Sequence, residues 1–212
     1  MGKRTVQRYR RGVRPPRPSG QTWATFLSTH AHAIWACDFL PVIDVGFRTL
    51  YAFFLVELGS RRVVHVSVTR HPTDAWVAQQ LREATAFGTR PRFLIRDHDS
   101  TFGAPFARVA AASGIEILCP PIAAPRANAI VERFLGSVRR ECLDHVLILS
   151  ERHLLRVLRT YSAYFNAARP HQGLGQALPE PAVVASIAST VDTPVRAIPV
   201  LGGLHHDYQR VA

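Results

Sequence analysis

Arg92-Phe93-Leu94-Ile95-Arg96-Asp97-His98-Asp99-Ser100 is the stretch on which the reading of this chain turns. Its apolar run, Phe93-Leu94-Ile95, has the character of a buried strand and delivers Asp97 to the strand end, where a backbone ladder holds a side chain rigidly. Downstream, Glu132 falls inside an amphipathic helical pattern. Upstream, Ile34-Trp35-Ala36-Cys37-Asp38-Phe39 is a second apolar strand carrying an aspartate. Carboxylates at buried strands are costly unless compensated. Either Asp97-His98-Asp99-Ser100 is a turn whose acids bond backbone amides, or Asp38, Asp97 and Glu132 surround divalent metal, an arrangement suited to phosphoryl transfer.

Working outward, three runs rich in β-branched and aromatic residues, Ile34 to Val45, Thr49 to Glu57 and Arg62 to Thr69, are separated by loops of hairpin length. They predict an antiparallel meander. A helix that begins at Pro72-Thr73-Asp74 and runs to about Phe87 then leads into the Phe93 strand, and such a crossover points to a parallel pairing. Ala104 to Ser113 reads as a helix stopped by Gly114, and Ile115 to Leu118 as a fifth strand. Pro120 to Pro125 holds three prolines and reads as a loop. It precedes a helix from about Ala127 to Leu143, and Ser150 caps a longer helix to Ala168. The fold class is α/β: a five-stranded mixed sheet with helices on both faces.

With 212 residues, 47% of them hydrophobic, the chain supports one sizeable core plus appendages. Its net charge of +11 is concentrated: residues 1–20 hold seven basic groups and no acidic one, leaving +4 over the rest. A basic arm of this kind meets nucleic acid or an anionic membrane, or is a solvated leader. We divide the chain into a basic N-terminal arm or linker (1–30), a core (31–175) and a C-terminal tail (176–212) in which no regular element is expected. Trp23 to Ala33 suggests a short helical turn, with His30 and His32 in surface or packing roles. Cys37, Cys119 and Cys142 are too dispersed for a disulfide framework or a zinc site. No apolar run approaches a bilayer span and no secretory signal is evident, so a cytoplasmic, soluble protein without a membrane partner is expected.

Ile95-Arg96-Asp97-His98-Asp99-Ser100-Thr101-Phe102, with Asn128-Ala129-Ile130-Val131-Glu132-Arg133-Phe134-Leu135-Gly136-Ser137-Val138-Arg139-Arg140-Glu141, resembles the catalytic core of bacterial insertion-sequence transposases related to retroviral integrases. Tyr164-Phe165-Asn166 and Arg169-Pro170-His171-Gln172-Gly173-Leu174-Gly175 resemble the end of that core. The resemblance runs from about Trp35 to Gly175. It implies a ribonuclease H-like fold and an acidic triad matching Asp38, Asp97 and Glu132 as catalytic and metal-binding residues. It further implies two Mg²⁺ or Mn²⁺ ions, cleavage that frees the 3′ ends of an element, transfer of those ends to target DNA, and a homo-oligomer on DNA. Two departures stand out: 34 residues separate Asp97 from Glu132, one fewer than usual in the family, and Asp99 stands where relatives often have glycine.

Arg126, Asn128, Arg133, Arg139, Arg140 and Arg169 flank the acids in sequence and are the candidate DNA contacts. Local alternatives are pairing of Arg133 or Arg140 with Glu141 or Asp144, and a capping role for Asn128. Asp44 reads as a hairpin residue, Glu57 as an edge or turn carboxylate, and His98 as a turn histidine more readily than a proton shuttle. Relatives usually place a helix-turn-helix region before the core. An alternative reading is therefore an N-terminally truncated, catalytically silent DNA-binding remnant of a transposase.

Overall fold

Successive residues of a pleated strand point to opposite faces, and in Ile34–Ile43 (β1) both faces are apolar. Ile34, Ala36, Leu40 and Val42 enter one core, while Trp35 and Cys37 enter another. A strand apolar on both sides belongs in the middle of a sheet. In the computed structural model, which describes residues 22–86, 88–97, 99, 101–119, 129–180 and 194–210, β1 occupies that place. It pairs antiparallel with Thr49–Glu57 (β2), which pairs antiparallel with Val63–Thr69 (β3). On its other side it pairs parallel with Phe93–Ile95 (β4), and β4 pairs parallel with Glu116–Leu118 (β5). The resulting order, β3-β2-β1-β4-β5, is the expected mixed sheet.

Two helical layers cover its faces. On one, Asp74–Thr85 (α2, after α1 at Trp23–His30) and Ala104–Ala112 (α3) bury Val77, Leu81, Phe106 and Val109 against Trp35, Phe53, Leu55 and Leu94. Thr73 caps α2 by accepting from the Trp76 N–H at 3.2 Å. Gly114, with φ of +68°, ends α3 in the left-handed conformation that a side chain disfavours. On the other face, Ala129–Glu141 (α4) and Glu151–Ala167 (α5) bury Val131, Phe134, Val138, Leu154, Leu158, Tyr161 and Phe165. Phe54, Phe134 and Phe165 form an edge-to-face column tying sheet to α4 to α5, with ring centroids 5.1 and 4.9 Å apart. The buried Asn166 amide accepts from the Val63 N–H at 2.9 Å and donates to the Val63 carbonyl at 3.0 Å. The end of α5 is thereby locked to β3.

Several boundaries differ from expectation. The expected beginning of α4, at Ala127, lies outside the described residues, and the helix ends at Glu141 because Leu143–His145 tighten into a 3₁₀ turn. Trp23–His30 makes two turns of helix rather than one, pinned by Phe26 and His30 against Phe93 at 5.1 and 5.5 Å. His32 lies over Gly59, so both histidines pack as expected. The C-terminal stretch does hold regular structure: Val195–Val200 (β6) and His205–Arg210 (β7) form an antiparallel hairpin. It docks on α5, where the His205 ring stacks on Tyr164 at 4.7 Å and hydrogen-bonds the Glu141 carbonyl at 2.8 Å. Residues 1–21, with the basic arm, lie outside the described residues.

Candidate active site

Parity along the strands aims the acids. Asp38 lies on the face of β1 that carries Ile34 and Ala36, and its register partner on β2, Phe54, belongs to the core under α4 and α5. On β4, Phe93 and Ile95 enter that same core while Leu94 enters the other. The parallel register pairs Ala36 with Ile95, the last residue of β4, and Asp38 and Asp97 are each two residues further along their segments. Helix α4 packs across β1 and brings Glu132, exposed one position after the buried Val131, to the same side.

Electrostatics register this convergence. Burial pushes the Asp38 carboxyl up to about 6; the Phe39 N–H, donating at 2.7 Å, opposes the rise, and the negative charges of Asp97, Glu132 and Asp99 add to it. The acids share an electrostatic field without yet sharing a coordination point. Among the described residues, no three His, Cys, Asp or Glu side chains form a group already set to hold an ion. The oxygen donors suit a hard divalent cation, and Asp38 stands in a locally negative, partly desolvated place that a cation would neutralise. These residues fit such an ion.

The turn itself is built as the first of the two readings has it. Asp97 accepts from the Asp99 N–H at 3.1 Å, and Asp99 accepts from the Thr101 N–H and hydroxyl at 2.9 and 3.0 Å. One oxygen of each acid is thus engaged locally, which fixes the turn and leaves Asp97 exposed. Beneath it, the Arg96 guanidinium bonds the Asp97 carbonyl at 2.9 Å and lies over the Phe102 ring. Cys37 is buried, its thiol pushed well up by burial, which makes it packing rather than a ligand. His98 lies outside the described residues.

The candidate DNA contacts separate. Arg126 and Asn128 lie outside the described residues. Arg133, Arg139 and Arg140 are exposed along α4, Arg139 reaching the Pro41 carbonyl at 3.2 Å. No salt bridge joins Arg133 or Arg140 to Glu141 or Asp144 among the described residues. Arg169 is engaged elsewhere: its fork grips Glu141 through contacts of 2.6 and 2.8 Å, and the Tyr161 hydroxyl donates to the same carboxylate at 2.8 Å. Burial pushes the Glu141 carboxyl up, yet these bonds outweigh it and hold it below the usual range. Asp44 is the hairpin residue expected, accepting from the Gly46 and Arg48 N–H groups and paired with Arg48 and Arg70. Glu57 pairs with Arg62 at the end of β2.

Residues 113–179 match the model of the integrase core domain family. The chain is 27% identical over 164 residues to the uncharacterized 39.2 kDa protein of insertion element IS476 from Xanthomonas euvesicatoria, covering 77% of this chain and 47% of that protein. It is 25% identical over 162 residues to the uncharacterized 31.7 kDa protein of insertion element IS407 from Burkholderia multivorans, covering 76% and 58%. The chain is thus similar to integrase-type cores over part of its length. It spans about half the length of these curated relatives.

Solved structures agree on the fold of this chain. A simian T-cell lymphotropic virus intasome, in complex with PP2A regulatory subunit B56 gamma, aligns with a TM-score of 0.57 at 15% identity, over 84% of this chain and 66% of that one. The HTLV-2 integrase catalytic core domain in complex with magnesium aligns with a TM-score of 0.56 at 15% identity, over 69% and 93%. The five-stranded sheet with helices on both faces is therefore the ribonuclease H-like fold. The chain also has a basic residue that sequence reading passed over. Arg61, in the β2–β3 hairpin, lines a cleft with Arg133 and Arg169, and no spacing in the sequence links it to them.

Proposed function

We propose that this chain is a transposase of the integrase type, which cuts DNA at the ends of its own element and joins those ends to target DNA. The observation that supports the reading is that the charges of Asp97 and Glu132 act on Asp38, in a chain whose residues 113–179 match the integrase core domain family. In cleavage, water attacks a phosphodiester phosphorus, a new P–O bond forms, and the bond to the 3′ oxygen breaks to leave a free 3′ hydroxyl. In strand transfer that hydroxyl attacks a target phosphodiester and displaces its 3′ oxygen, so one ester replaces another.

Asp38, Asp97 and Glu132 would hold Mg²⁺ or Mn²⁺, two ions in the full assembly. When bound, the cations supply positive charge at the entering and leaving oxygens of the displacement. The residues themselves do the positioning. Asp38 lies on β1 and Asp97 two residues beyond the end of the neighbouring β4, and Glu132 rides on a helix anchored by Val131, Phe134 and Val138. Arg133, Arg139 and Arg140 present guanidinium forks to phosphates along the same helix. Action as a homo-oligomer on DNA, in the cytoplasm, belongs to the same reading; no helix among the described residues is long and apolar enough to cross a membrane.

The test is direct. Purified protein with Mg²⁺ or Mn²⁺ should nick or join DNA carrying the element's ends, and Asp97→Asn, an exposed and isosteric change, should abolish both while leaving the fold intact. Full activity in Asp97→Asn would refute the assignment. DNA binding without any metal-dependent cleavage by the wild type would point instead to the catalytically silent remnant.

A further inference from the structure

A cleft of about 250 Å³ opens between α4, the end of β2 and the loop after α5, and none of the three acids lines it. Its floor is apolar, built from Val56, Ile130, Phe134 and Phe165, whereas its rim carries Arg61, Arg133 and Arg169. Arg169 is neutralised by Glu141. Arg61 and Arg133 have no acidic partner among the described residues. Burial lowers the affinity of the Arg61 guanidinium for its proton, and the positive charge of Arg133 lowers it further. Two like charges are thus held facing one cleft at an electrostatic cost that an anion would remove.

The Arg61 position is built rather than accidental. Its backbone takes φ of +64°, a left-handed conformation unusual for a residue with a side chain. Its guanidinium lies directly over Gly173, where a Cβ would collide with Nη1, Nη2 and Cζ. The loop beneath is fixed by bonds from the Leu174 and Gln176 N–H groups to the His171 carbonyl, both 2.9 Å, and from the His171 N–H to the Ala177 carbonyl at 3.1 Å. Gln172 and Gln176 line the same rim.

We propose that Arg61 and Arg133, seated over the Gly173 loop, form a phosphate-binding cleft separate from the acidic site. A phosphodiester of a DNA strand and a free inorganic phosphate share the chemistry this cleft recognises: a tetrahedral oxyanion that accepts from two guanidinium forks. The cleft stands on its own geometry; that its natural occupant is DNA rests on the function proposed above. Arg133 immediately follows Glu132 on α4, so a strand phosphate held in the cleft would anchor a segment of the same strand that passes the acids.

The experiment uses the full chain in EDTA, so that cleavage plays no part. Two probes are titrated: a labelled duplex oligonucleotide of arbitrary sequence, across a salt series, and pyrophosphate, read by thermal shift. Arg61→Gln and Arg133→Gln should each weaken oligonucleotide binding roughly fivefold and lower the slope of log K against log salt by about one, as loss of a phosphate contact does. Gly173→Ala keeps the charge but displaces the Arg61 guanidinium, and should weaken binding comparably. Arg159→Gln, the same charge change at an exposed position of α5 outside the cleft, serves as control. Pyrophosphate should raise the melting temperature of the wild type and not of Arg61→Gln. A response to pyrophosphate that Arg61→Gln abolishes, without any effect on oligonucleotide binding, identifies a free-anion site. The proposal is overturned if Arg61→Gln and Arg133→Gln match the Arg159→Gln control with both probes, or if folded Gly173→Ala binds both as the wild type does. Neither result would touch the metal-dependent cleavage assay.

Discussion

At the scale of single residues, Asp38 governs what pH does to the apo fold. Its folded-state value is raised to about 6 from an ordinary 3.8, so between these values the folded chain binds a proton that the unfolded chain has lost. Stability therefore falls as pH rises through that window and stays lower above it. Asp38→Asn removes the charge, and in EDTA at pH 7.5 it should stabilise the fold by on the order of 1–3 kcal/mol, while at pH 4 the two proteins should melt alike. Chemical denaturation at both pH values measures this; equal stability of the two at pH 7.5 would contradict it. Millimolar Mg²⁺ should then raise the melting temperature of the wild type at pH 7.5 and leave Asp38→Asn nearly unmoved, because an ion that binds only the folded state stabilises it by mass action. Of this site, the acids themselves were legible in the sequence, since an aspartate ending an apolar run is conspicuous. Their incomplete approach was not, because strand parity fixes a direction and says nothing of the last few ångströms.

At the scale of elements, α5 is held at both ends by bonds that single substitutions remove. Ser150 accepts from the His153 N–H at 3.2 Å, and Ser150→Ala should cost about 1 kcal/mol in thermal or urea unfolding. At the other end, Arg169→Ala leaves the half-buried Glu141 carboxylate with the Tyr161 hydroxyl as its remaining side-chain partner and should cost about 2 kcal/mol. The sign with pH is opposite to that of Asp38: Glu141 is held low, so its contribution is present above its unfolded value and is lost as pH falls through the folded one. The difference between wild type and Arg169→Ala should accordingly shrink in acid. The helices and the five strands were legible because burial imposes period on them. The β6–β7 hairpin was not: Val195 to Pro199 are all exposed, so no apolar alternation marks them, and Gly202-Gly203 at the turn was the one available signal. Arg169, which beside Pro170 reads as a phosphate contact, turned inward because Glu141 and Tyr161 lie on the faces of α4 and α5 that meet it.

At the scale of the whole molecule, the sheet joins a local half to a distant one. The meander β1-β2-β3 closes through short hairpins, whereas β4 reaches β1 only after the α2 crossover, with Ala36 pairing to Ile95. Pairings distant in sequence are slow to form because loop closure must be met before contacts reward it. The meander can assemble early, but Asp97 cannot arrive beside Asp38 until the crossover has docked. Pulse-labelled hydrogen exchange during refolding should protect Phe53 and Leu55 amides before the Leu94 amide; simultaneous protection would contradict this order. A chain emerging from the ribosome would carry Asp38 before Asp97 and Glu132 have been made. Under the function proposed above, a nascent polypeptide shorter than 132 residues lacks one of the three acids and could not cut the chromosome around it.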